Sequence, residues 1–160
     1  MKFKTWSAAA ARVAALTALS SLSFAQINPL AVAPVEQIAI KRGAAATATL
    51  KVSIRPGYHA NTNTPSDEYL IPMKVTFLPG PVEFTGAAYP KGKDEKYEFS
   101  AKPLNVYSGE FELPVHFKAG ADAKKGMGTM TGKLRFQACN STMCLPPRTV
   151  EVPVPVFVTE

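Results

Sequence analysis

Residues 47–54 read TATLKVSI, and they alternate without a break. Ala48, Leu50, Val52 and Ile54 fall on one side; Thr47, Thr49, Lys51 and Ser53 fall on the other. Successive side chains of a strand point to opposite faces, so this pattern predicts a strand with one buried and one wet face. Similar runs recur as EYLIPMKVTF (68–77), VEFTGAAY (82–89), EFELPVHF (110–117), GTMTGKLRFQA (128–138) and TVEVPVPVFV (149–158). A weaker strand is expected at 36–42. Pro-Gly and Gly-Pro steps at 56–57 and 79–81 punctuate the runs. No long stretch carries a helical period, and no internal repeat is visible. Short strands separated by turn signals predict an all-β sandwich.

Two stretches break the rhythm. GYHANTNTPSDE (57–68) is polar and turn-rich. YPKGKDEKYEFSAKPLNVYSG (89–109) is long for a hairpin connection, and loops of that length in compact domains are often functional. Its aromatics, Tyr97, Phe99 and Tyr107, fit either a lid over a site or an ordinary surface cluster. In the last run, Pro153 and Pro155 lie two apart, so their missing N–H groups face the same side. That strand is expected at a sheet edge, or unpaired on that side.

The first residues belong to a different class. Lys2, Lys4 and Arg12 precede an apolar run, and Ser23-Phe24-Ala25 fits a small-x-small cleavage site. Residues 1–25 are therefore expected to be a secretory signal peptide, with one domain at 26–160. The apolar run is shorter than the ~20 residues that span a bilayer. The chain carries 18 basic and 12 acidic residues, net +6. Loss of the three basic residues of the signal leaves 15 basic against 12 acidic, or +3. No basic tract is interleaved with aromatics, which argues against nucleic acid. The only tryptophan, Trp6, lies in the signal, so the domain core is built without one.

Export changes the meaning of the two cysteines, Cys139 and Cys144. In an oxidising compartment they are expected to pair. On the strand KLRFQAC, Leu134, Phe136 and Ala138 form the apolar face, which puts Cys139 on the polar one, at the strand end. Asn140 to Met143 then make a turn, and Cys144 returns opposite Cys139. Antiparallel partners can approach to ~4.5 Å between Cα atoms, within reach of a disulfide. A bond closing so short a loop stabilises by only about 2 kcal/mol in the chain-entropy treatment. Spacing and placement leave a structural and a redox-active pair equally open. His59 and His116 are the only histidines, and Cys-x4-Cys is not a familiar zinc half-site. Met127, Met130 and Met143 beside the cysteines are a thin candidate for a soft copper(I) site. No catalytic triad, phosphate loop or paired carboxylates stand out, and no cofactor is expected.

LRFQACNSTMCLPPRTVEVPVPV resembles the cysteine hairpin of the N-terminal periplasmic domain of the thiol:disulfide interchange protein DsbD family. GYHANTNTPSDEYLIPMKVTF and PLNVYSGEFELPV are similar to further blocks of that family in the same order, so the likeness spans about residues 35–158. It implies an immunoglobulin-like sandwich, with a cysteine-bearing hairpin whose pair cycles between disulfide and dithiol. It implies electron transfer to thioredoxin-fold partners in the periplasm, with Cys144 forming the mixed disulfide and Cys139 resolving it. It also implies a cap loop, here 91–104, with Asp94 and Glu95 ahead of Tyr97 or Phe99. Tyr58 and Tyr69 are further candidates to line the site. Two departures stand out: Lys96 follows the acids directly, and four residues rather than five separate the cysteines. With the chain ending at Glu160, this reading calls for a separate membrane electron donor. The alternatives are a non-catalytic immunoglobulin-like binding module with a structural disulfide, and a copper(I)-handling protein.

Overall fold

The computed structural model describes residues 28–160, so the expected signal peptide lies outside the described residues. The strands are β1 (Leu30–Val32), β2 (Ile38–Lys41), β3 (Ala45–Ile54), β4 (His59–Asn61), β5 (Lys74–Phe77) and β6 (Glu83–Ala87). They continue as β7 (Lys93–Glu95), β8 (Leu104–Tyr107), β9 (Glu110–Lys118), β10 (Gly126–Phe136), β11 (Ala138–Cys139) and β12 (Arg148–Thr159). One sheet has the order β1-β3-β9-β6 and a second β2-β12-β10-β5. They enclose one core. From the first sheet come Leu50, Val52, Leu113, Val115 and Phe117; from the second come Met130, Leu134, Phe136, Val152, Val154 and Val156. The alternation seen in 47–54 is the burial pattern of β3, where Ala48, Leu50, Val52 and Ile54 are buried and their neighbours exposed. Burying each such aliphatic side chain stabilises by roughly 1.5–3 kcal/mol, which makes this face the main source of stability. The result is an immunoglobulin-like β-sandwich.

The two prolines of β12 fit their sheet in an informative way. β12 lies between β10 and β2, so in sheet order it is not an edge strand. It pairs with β10 along its whole length, with Pro153 opposite Thr131 and Pro155 opposite Thr129. β2 joins the other side only from Val156 to Thr159. The donors that the prolines lack therefore face a side that no strand covers at those positions.

A third sheet, β11-β4-β8-β7, is hydrogen-bonded separately from the other two, and its Ala60, Tyr107 and Ala138 join the same core. Three expectations need correction. The expected strand at 68–77 forms only at β5, because Pro72 lacks a donor and residues 67–70 turn instead. There Leu70 N donates to the Asp67 carbonyl (3.2 Å) and Tyr69 N to Asp67 Oδ1 (3.3 Å). The polar stretch 57–68 contains β4, whose three residues are all buried. The long stretch 89–109 is no simple loop: β7 and β8 pair within it as an antiparallel hairpin.

Candidate functional site

The site is built where one strand changes sheets. β10 runs in the sandwich to Phe136, and after Gln137 the chain continues as β11, which pairs with β4. Gln137 sits on the seam and holds three segments. Its Oε1 accepts from Ile71 N and from Asn61 Nδ2 (3.2 Å each), and its Nε2 donates to the Leu145 carbonyl (3.3 Å). The strand pattern made Gln137 an ordinary outward polar residue, and only the change of sheet gives it these partners.

Beyond the seam comes a tight turn. Asn140 Oδ1 accepts from Thr142 N (2.9 Å), Met143 N (2.8 Å) and Thr142 Oγ1 (3.0 Å). Asn140 N donates to the Met143 carbonyl (2.9 Å), and Leu145 N donates to the Ala138 carbonyl (2.8 Å). An Asn side chain that bonds the backbone two residues on fixes such a turn locally. Cys139 and Cys144 are thereby antiparallel partners, bonded as a disulfide with Cα atoms 3.9 Å apart.

The two sulfurs do not share an environment. Cys144 is half-buried, whereas Cys139 is 0 % exposed. The reading of Cys139 as a polar-face residue needs a correction. It does lie outside the main core cluster, as do the buried Leu104 and Val106 of β8. Yet the face called polar is not wet: by register Cys139 shares it with the buried His59 and Asn61 of β4 and Leu104 and Val106 of β8, a second, smaller interior. Strand alternation tells which face a residue takes, not what later covers that face.

The β7–β8 hairpin is held by polar contacts. Glu95 accepts from the Tyr97 hydroxyl (Oε2, 2.5 Å) and from Ser108 Oγ (Oε1, 3.2 Å). Asp94 Oδ1 accepts from Asn105 Nδ2 (2.7 Å) across the β7–β8 pair. A Cβ at Gly92 would run into Asn105 Oδ1 and Thr62 Cγ2, so glycine there lets β7 close against its neighbours. Tyr97 stacks on His59 with ring centroids 4.0 Å apart, and Phe99 stacks outside Tyr97 at 5.5 Å. Burial, then the Glu95 hydrogen bond and charge, hold the Tyr97 phenol above the usual tyrosine range, so it stays a donor. Tyr107 packs on Phe111 and sets its hydroxyl 3.0 Å from both Asn63 Oδ1 and the Pro90 carbonyl.

Of the residues singled out in the sequence, the structure brings Cys139, Cys144, Glu95, Tyr97 and Phe99 to this end of the molecule, with Asp94 on its exposed flank. Tyr58 is half-buried and packs against the main core. Tyr69 stands 82 % exposed. Among the methionines, Met143 lies in the cysteine turn, Met130 is packed in the main core, and Met127 pairs with Phe157 near the far end of β10. Among the described residues no group of three or more His, Cys, Asp and Glu is placed to hold a metal ion.

His59 carried no role in the sequence reading beyond being one of two histidines. It is the cross-strand partner of Cys139 and only 3 % exposed. Its Nε2 has no hydrogen-bond partner among the described residues. Burial lowers its imidazole below the usual histidine range, against an upward pull from the Glu95 carboxylate. No helix among the described residues is long and apolar enough to cross a membrane.

Comparison with known proteins agrees with this architecture. The N-terminal periplasmic domain of ScsB from Proteus mirabilis matches with a TM-score of 0.52 at 13% identity. The match covers 78% of this chain and 44% of that one, so the chain spans under half of the ScsB domain's length. The reduced DsbD N-terminal domain of Neisseria meningitidis matches with a TM-score of 0.46 at 18% identity, over 67% of this chain and 74% of that one. No curated protein matches the sequence as a relative. The family profile described as thiol:disulfide interchange protein DsbD, N-terminal, matches residues 27–155. That span takes in most of the sandwich, the β7–β8 hairpin and both cysteines, and the chain belongs to this family of thiol–disulfide interchange domains.

Proposed function

We propose that this protein is a periplasmic thiol–disulfide carrier that passes electrons to thioredoxin-fold proteins through a reversible Cys139–Cys144 bond. The observation that carries the reading is the asymmetry of the pair: a half-buried Cys144 beside a fully buried Cys139, joined across a turn that is already closed by its own hydrogen bonds. Such a bond adds little as a staple, about 2 kcal/mol for so short a loop. Exchange needs one sulfur within reach of a partner and a second thiol close enough to resolve the mixed disulfide. Cys144 is the attacking residue and Cys139 the resolving one. Tyr97 and Phe99 on the β7–β8 hairpin shield the pair from stray thiols, and docking of a partner moves them aside. A membrane protein supplies the electrons that return the pair to the dithiol.

The test is trapping. Cys139→Ser should hold a thioredoxin-fold partner as a stable mixed disulfide through Cys144, while Cys144→Ser traps at least ~10-fold less, because its remaining thiol is buried. Equal trapping by the two variants would reject these roles.

A further inference from the structure

Resolution of a mixed disulfide requires Cys139 to become a thiolate while it is shut away from water. The thiolate is the nucleophile, and burial in apolar surroundings disfavours it. Something inside the small interior must take the proton. We infer that His59 is that acceptor: its ring is buried directly across β4–β11 from Cys139, and its Nε2 is unpartnered among the described residues. This rests on the exchange reading above.

The register places the group. Directly opposed residues of an antiparallel pair put their side chains on the same face. His59 and Cys139 are such a pair, and Cys139 is in turn opposite Cys144. The three side chains therefore stand abreast, in the order His59, Cys139, Cys144. The titratable groups that face His59 are Glu95 and Tyr97 from the capping hairpin and Cys139 from β11. The carboxylates are poor rivals for the role. Glu95 already accepts from Tyr97 and Ser108, and Asp94 is exposed and accepts from Asn105. The other unpartnered buried atoms nearby, Asn61 Oδ1 and Thr62 Oγ1, belong to groups that do not take up a proton at neutral pH. Burial keeps the imidazole neutral, which is the form a base needs.

The Cys144 thiolate attacks the partner's disulfide, forming a mixed disulfide and releasing one partner thiolate, which is protonated by solvent. The Cys139 thiol passes its proton to His59, and the new thiolate attacks Cys144 Sγ. The Cys139–Cys144 bond forms and the bond from Cys144 to the partner breaks. The departing thiolate takes the proton from the imidazolium. Two electrons move from the cysteine pair to the partner, and His59 ends neutral.

The test uses the reduced protein and 4,4′-dithiodipyridine, which releases one coloured thiopyridone on attack by Cys144 and a second on resolution by Cys139. In His59→Gln and His59→Phe the second release should slow by ~10²-fold at pH 7 and rise in proportion to hydroxide, while the first stays within about twofold. A second release with the wild-type rate and pH profile in both variants would overturn the inference. Because a variant at a buried site can misfold, the unaltered protein provides a second reading. The ring nitrogen resonances of His59 should shift when the disulfide is reduced and a thiol proton becomes available, and identical spectra in the two redox states would also overturn it. Failure of the wild-type protein to give any second release would instead reject the exchange reading, and this inference with it.

Discussion

The sandwich and the small sheet at its end solve opposite problems with the same backbone ladder. In the sandwich each strand buries one face and wets the other, and Val, Leu and Phe fill the space between layers. In the small sheet, His59, Ala60 and Asn61 are all buried, and polar side chains stitch the parts together: Gln137 at the seam, Asn140 in the turn, Glu95 against Tyr97. Apolar packing is nondirectional and stabilises broadly. Directional hydrogen bonds fix a geometry and can be exchanged for others at small net cost, since each contributes only ~1 kcal/mol.

Substitutions on the two sides should separate stability from chemistry. The largest stability loss belongs to the sandwich. Phe117→Ala removes a fully buried ring that meets Phe77 edge-on at 4.9 Å. It should cost about 3–5 kcal/mol in denaturant unfolding and leave the reduction potential of the soluble folded protein unchanged. A shifted potential would show that the two regions are coupled. Replacing both cysteines with Ser should cost near ~2 kcal/mol, and collapse of the fold would make the bond a staple after all. Tyr97→Ala should cost little in unfolding but speed reduction of the disulfide by dithiothreitol about tenfold, equivalent to ~1.4 kcal/mol. An unchanged rate would remove the capping role. Asn140→Ala leaves the turn donors Thr142 N and Met143 N without their acceptor and should cost about 1 kcal/mol.

The smallest effect is one of pH. The fold holds His59 below its ordinary value of 6.5, so the unfolded chain takes up the proton first. The stability this contributes is present above pH ~6.5 and is lost as pH falls below it. Melting temperatures of the wild type between pH 7.5 and 5 should therefore fall more steeply than those of His59→Gln, and parallel curves would contradict the burial of a neutral ring.

The sandwich was legible in the sequence for the reason that makes it stable. A face that must stay wet leaves a period of two, and 47–54, 110–117 and 149–158 each became a strand close to their predicted bounds. The small sheet left no such trace. β4 is covered on both faces, and β7 and β8 are three and four residues long, so alternation had nothing to mark. The cysteines and the aromatics of the 91–104 stretch were visible as residue types, and the family resemblance linked them. Burial of Cys139 was not visible, because it depends on a hairpin more than thirty residues upstream. His59 was hidden for the same cause: its partner is set by the pairing of β4 with β11, which neither segment announces.

The most direct test of the account is the equilibrium reduction potential of Cys139–Cys144, measured in the folded protein against a glutathione or dithiothreitol buffer. A working exchanger should fall near roughly −200 to −250 mV. A potential well below about −300 mV would mark a structural disulfide and contradict the claim that this end of the molecule trades electrons.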